Sequence, residues 1–106
     1  MAAPGFHLSR RARADLDSIA DYLASQSAIA PRRVLVELWN TFEVLAANPE
    51  IGNRRDDLHP NVRMFTPSRP ASSYIVFYYP RENGIEISDV IHAARDWPGM
   101  FASGER

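Results

Sequence analysis

The chain contains neither cysteine nor lysine. Without cysteine there is no disulfide staple, no thiolate nucleophile and no Cys-based zinc site, and a reducing compartment is compatible. Without lysine, chemistry that needs a side-chain amine is excluded; all 12 basic residues are arginine, which keeps its charge and presents a rigid fork. Long apolar runs are missing as well, none approaching the roughly 18 residues that a membrane span needs. The opening Met1-Ala2-Ala3-Pro4-Gly5-Phe6 has no positive stretch leading into an apolar one. No signal peptide is therefore expected, and the chain reads as cytoplasmic with no membrane partner. A net charge of −1 argues against a polybasic nucleic-acid binder, so no strong direct nucleic-acid binding is expected. Phosphate-loop, dinucleotide, zinc-protease and nucleophile-elbow motifs are all absent. His7, His59 and His92 lie too far apart for metal-ligand spacing, so neither metal nor cofactor is expected.

What is present fits one domain of 106 residues, with 45% apolar and 24% charged side chains. Phe6-His7-Leu8 reads as a brief strand, and Ser9 stands where a helix N-cap belongs. Ala12, Leu16, Ile19, Ala20 and Leu23 then recur at helical spacing, until Ser25-Gln26-Ser27 loosens the pattern. Pro31 opens a second helix with the stripe Val34, Leu35, Leu38, Phe42 and Leu45, flanked by Trp39 and stopped at Asn48-Pro49. Two helices so closely joined predict an antiparallel hairpin.

After Gly52 the character changes. Residues 53–60 read as polar loop, 62–66 as a strand, and 67–72 as a connection holding Pro67 and Pro70. Residues 74–79 are continuously apolar or aromatic, as in a strand central in its sheet or covered on both faces. Asn83-Gly84 marks a tight turn into a strand over 85–93, whose apolar phase shifts near Asp89 and predicts a bulge. The expected fold is α+β: a short N-terminal strand and a helical hairpin packed on a small antiparallel sheet. Its core spans 6–96, with an irregular tail over 97–106.

Arginine dominates the sheet half: Arg54, Arg55, Arg63, Arg69, Arg81 and Arg95. Arg63 and Arg95 either present their forks to phosphate or carboxylate, or pair with Asp89 or Asp96 to fix the sheet end. His92 beside Asp96 is either an oriented general base or a half-buried strand histidine with a carboxylate neighbour. Arg10, Arg11 and Arg13 oppose the dipole of the first helix at a cost of roughly a few tenths of a kcal/mol. Pairs Arg11–Asp15 and Arg13–Asp17 offset part of this, leaving either solvated charge or a surface for an acidic partner. The aromatic content exceeds what a small core hides, so among Phe65, Tyr78, Tyr79 and Trp97 some side chain is a candidate for an apolar surface, while core packing is the better reading of any one of them.

These segments resemble the ParE branch of the ParE/RelE superfamily of bacterial toxins. Ala12-x-x-Asp15-Leu16-x-x-Ile19-x-x-Tyr22 is similar to the family's opening, and Leu45-Ala46-Ala47-Asn48-Pro49-Glu50-Ile51-Gly52 to its helix exit. Pro60-Asn61-Val62-Arg63 resembles the arginine-bearing strand, Ser73-Tyr74-Ile75-Val76-Phe77-Tyr78 the central one, and Val90-Ile91-His92-Ala93-Ala94-Arg95-Asp96 the closing motif. The connection from Arg63 to Tyr74 is longer than the family pattern. The resemblance implies the toxin of a type II toxin–antitoxin system, of the kind that serves plasmid stabilisation. It would be neutralised by a cognate ParD-like antitoxin and directed at DNA gyrase. The alternative within the superfamily is a RelE-like ribosome-dependent mRNA endoribonuclease. Absent lysine, near-neutral charge and Phe101 where such enzymes place a proton donor favour the gyrase-binding toxin, with no catalytic residues. Arg63, His92, Arg95, Asp96, Trp97 and Phe101 are then target-contact candidates, and Arg10, Arg11 and Arg13 antitoxin-binding candidates.

Overall fold

The computed structural model describes residues 5–106. Met1-Ala2-Ala3-Pro4, read above as free of a signal peptide, lies outside them. Strand β1 (Gly5–Leu8) leads directly into helix α1 (Arg10–Ala24). Ser9 joins them as foreseen: its hydroxyl accepts from the Ala12 amide at 3.0 Å and donates to the Ser88 carbonyl at 2.8 Å. One side chain thus starts the helix and ties it to the sheet. Helix α2 (Ala30–Ala47) begins with Pro31 in its first turn and ends at Asn48.

The sheet half holds β2 (Asn53–Arg54), β3 (Arg63–Phe65), β4 (Tyr74–Arg81) and β5 (Gly84–His92), followed by α3 (Trp97–Ala102). Strands lie in the order β1-β5-β4-β3-β2. The antiparallel meander β3-β4-β5 forms as expected. The segment read as polar loop adds the two-residue β2 at one edge, while β1 joins the other edge parallel to β5. Parallel pairing follows from connectivity, since β1 reaches β5 through both helices and most of the sheet rather than through a hairpin. Gly84 sits where β1 begins, at φ 126°, and a Cβ there would collide with the Gly5 carbonyl.

The foreseen bulge falls at Ser88. Phe77 faces Asp89 and Tyr78 faces Ile87, which leaves Ser88 as the extra residue. Its hydroxyl donates to the Phe77 carbonyl at 3.2 Å. The bulge lets Ile85, Ile87 and Val90 all reach the helix-covered face.

Two cores flank the sheet. Tyr74, Val76 and Tyr78 of β4 pack beneath the helices with Leu38, Phe42 and Leu45. Ile75 and Phe77 face the other way, against Val62, Ile91 and Phe101. The continuous apolar run of β4 thus reflects cover on both faces. That second cover corrects the irregular tail expected over 97–106. Trp97–Ala102 is a helical turn and a half, with Pro98 in its first turn and the Asp96 carboxylate accepting from the Gly99 amide at 3.1 Å. Proline is favourable at a helix start, so Pro98 opens this segment rather than breaking it. The aromatics weighed between core and surface lean toward the core. Tyr78 is fully buried, and Phe65, Tyr79 and Trp97 are half-buried. The large exposed apolar side chains lie instead on the helices and beside them: Tyr22 on α1, and Val36, Trp39 and Val44 on α2, with Ile29 just before it and Ile51 shortly after it.

Candidate functional site

The sequence-derived candidates separate into anchored and open residues. Arg63, on β3, turns its guanidinium toward the α2 exit and donates to the carbonyls of Glu50 (3.0 Å) and Gly52 (2.7 Å). It pairs with neither Asp89 nor Asp96. Tyr78 braces the same loop from below, donating to the Pro49 carbonyl at 2.8 Å and accepting from the Gly52 amide at 2.9 Å. Burial pushes the Tyr78 phenol above its ordinary pKa. Gly52 admits this arrangement, since a Cβ there would lie 2.6 Å from the Tyr78 hydroxyl. Arg63 is thus a loop anchor, whereas three other arginines of the sheet half are held in ion pairs. Arg54–Asp56, Arg55–Asp57 and Arg81–Glu86 each close at 2.8 Å.

Phe101, named above as a contact candidate, is buried and packs 5.0 Å from the Phe77 ring. It is a core residue of the second face. Trp97 is half-buried 5.7 Å from Phe77, and the Arg55 guanidinium lies 5.3 Å from its ring centre.

His92 and Asp96 do not form a dyad. The His92 Nδ1 accepts from the Ala94 amide at 3.0 Å, which leaves the imidazole proton on Nε2. Asp96 is committed to capping α3. His92 and Arg95 are both exposed, and no carboxylate pairs with Arg95 among the described residues.

At the start of α1, the expected helical pairs give way to longer-range ones. Arg11 reaches across to Asp89, with Nε 3.0 Å from Oδ1. Asp15 is taken by Arg106, whose two terminal nitrogens each lie 2.8 Å from one carboxylate oxygen. Arg106 also reaches Asp89 Oδ1 at 3.0 Å, and hydrogen bonding to Asp15 raises its pKa above the ordinary value. Asp15 further accepts from the Val90 amide at 2.9 Å. Arg10 and Arg13 stay exposed with no ion pair among the described residues, so the Arg13–Asp17 pair is not formed.

This four-membered charge cluster, Arg11, Asp15, Asp89 and Arg106, was not singled out from sequence. A signal existed, because Asp15 falls on the buried stripe between Ala12 and Ile19, and Asp89 interrupts an apolar strand. Asp15 and Arg106 of the cluster also line a groove of about 470 Å³ between α1 and β5, together with Ile19, Tyr22, Tyr74, Val90, His92 and Arg95 among others. A separate apolar strip runs along the outer side of α2, where Ile29, Val36 and Trp39 alternate with Arg32 and Arg33.

With this geometry described, comparison with known proteins decides the family. A family model for the ParE toxin of type II toxin–antitoxin systems, parDE, matches residues 6–97. The chain belongs to the ParE toxin family. Among solved structures, one described as the chromosomal ParDE TA system from P. aeruginosa is similar at TM-score 0.70 and 20% identity. The similarity covers 84% of this chain and 95% of that one, and it is a likeness of fold. Among curated proteins none matches. The strand–hairpin–sheet order of this ParE-family toxin is the one anticipated from its segments. No helix among the described residues is long and apolar enough to cross a membrane.

Proposed function

We propose that this ParE-family toxin acts in the cytoplasm by binding DNA gyrase, and that a ParD-like antitoxin neutralises it by covering that contact surface. The toxin assignment rests on the family match over residues 6–97. For a binding rather than a hydrolytic mode of action, the supporting observation is the separation of His92 from Asp96. Cleavage of RNA calls for a positioned proton donor or acceptor beside the scissile phosphate. Here His92 and Asp96 each bond a different main-chain amide, and Phe101 packs inside. His92, Arg95, Asp96 and the half-buried Trp97 are left as one contiguous contact stretch near the end of β5. Arg63 and Phe101 support the stretch by holding the fold. For the antitoxin, the exposed Ile29, Val36, Trp39 and Val44 along α2 supply apolar anchors at helical spacing, and Arg10 and Arg13 supply charge for acidic residues.

The test is to express the toxin with its antitoxin withdrawn, following translation and DNA integrity separately. A gyrase poison leaves early translation intact and induces DNA damage, and gyrase-resistant cells are spared. Prompt messenger-RNA cleavage on ribosomes, abolished by His92→Ala, assigns the endoribonuclease activity instead.

A further inference from the structure

Along the outer side of α2 runs an apolar strip that none of the described residues covers. Val36 and Trp39 are exposed, as is Ile29 just before the helix. Trp39 is nonetheless held in place, its ring meeting Phe6 of β1 edge-on at 4.8 Å. An anchor fixed in this way loses little freedom when a partner covers it.

The charges beside the strip are segregated along the helix. Arg32 and Arg33 stand in the first turn of α2, which holds no acidic residue, and Arg69 from the loop before β4 lines the same end. At the other end, Glu43 stands just before the last turn and Glu50 shortly beyond it, and that turn holds no basic residue. Arg32, Arg33, Arg69, Glu43 and Glu50 form no ion pair among the described residues. Each end thus carries the sign that opposes the macrodipole, which favours anions at the N-terminus and cations at the C-terminus. Within one molecule this arrangement is unfavourable. Against a second α2 running the opposite way, both ends become complementary.

A register follows from the same residues. In antiparallel pairing about a two-fold axis, every contact is made twice. Arg32 and Glu43 are separated by about three helical turns, so they share one side of α2, as that symmetry requires. Setting Arg32 opposite Glu43 of a second copy also sets Val36 opposite Trp39, and the reciprocal contacts repeat both pairs. Ile29 then meets the last turn of the second copy. The ion pairs close the two ends of an apolar seam.

We propose that this face of α2 is a homodimer interface, in which two copies of the toxin pack their α2 helices antiparallel in this register. A single helix face offers less than the roughly 800 Å² per partner of a standard interface, so the dimer is reversible, with dissociation on the order of tens of micromolar. A second copy and an antitoxin segment on α2 exclude each other, so the dimer belongs to the toxin free of antitoxin. The proposal goes beyond the toxin–antitoxin reading and does not depend on it.

The experiment is analytical ultracentrifugation of the purified toxin alone, at concentrations bracketing that range. A monomer–dimer equilibrium is expected. Arg32→Glu and Glu43→Arg each place like charges at both contacts and weaken self-association by about tenfold or more. Circular dichroism stays unchanged, because both side chains are exposed. An equimolar mixture of the two variants restores the dimer, since each contact in the mixed pair again joins opposite charges. A toxin that stays monomeric throughout the range overturns the proposal. So do variants that associate as the unchanged protein does, or a mixture no more dimeric than its parts. Each of these outcomes leaves the antitoxin reading standing.

Discussion

Asp89 is fully buried, with one oxygen bonded to two guanidinium groups and the other to no partner among the described residues. Such a carboxylate depends on its cations, since removing one partner of a buried pair leaves an uncompensated charge. Arg106→Ala deprives both Asp89 and Asp15, while Arg11 and the Val90 amide remain. A loss of about 3 kcal/mol is expected, measured by urea unfolding. Arg11 is half exposed, and Arg11→Ala should cost less, about 1 kcal/mol. Tyr78 gives a second prediction, at alkaline pH. Burial holds its phenol neutral in the fold, with a pKa raised above the unfolded value. Its contribution is therefore complete below about pH 10 and is lost as pH rises through the raised folded value. Tyr78→Phe should flatten that alkaline decline. It should also cost about 1–3 kcal/mol at neutral pH, because the Gly52 amide and Pro49 carbonyl lose their partner.

At the level of elements, α3 decides whether the chain's last segment is a surface appendage or part of the core. Phe101 packs on Phe77 beneath it, so Phe101→Ala should cost about 3 kcal/mol in the same unfolding measurement. A side chain acting only as a target contact would leave stability unchanged. The two long helices were legible because their stripes repeat at helical spacing, and Ser9, Pro31 and Asn48-Pro49 mark their ends. The meander was legible from Asn83-Gly84 and from the apolar phase shift that Ser88 resolves. Strand β2 was not, because two exposed residues carry no periodicity. Nor was α3, whose six residues include two that usually break helices. The site was only partly readable. Sequence placed His92, Arg95, Asp96 and Trp97 near one another, but partners separated by 75 residues or more cannot be paired from spacing. Arg11–Asp89 and Asp15–Arg106 are such pairs. The loop carbonyls that hold Arg63 leave no mark in the sequence either.

Across the whole molecule, the sheet is covered on both faces, and its unsatisfied features gather on α2, in the α1–β5 groove and around the end of β5. A chain arranged in this way has surfaces for partners. His92 and Asp96, its nearest approach to a proton-transfer pair, point to different main-chain amides. Steered attraction to ribosomal RNA is also weak at a net charge of −1. The most direct measurement is to titrate the purified toxin into a DNA gyrase supercoiling reaction, in parallel with a ribosome–messenger cleavage reaction. The expected result is loss of supercoiling with accumulation of cleaved DNA, relieved by Arg95→Glu, and no messenger cleavage beside it. Undiminished supercoiling alongside messenger cleavage that His92→Asn abolishes would contradict it.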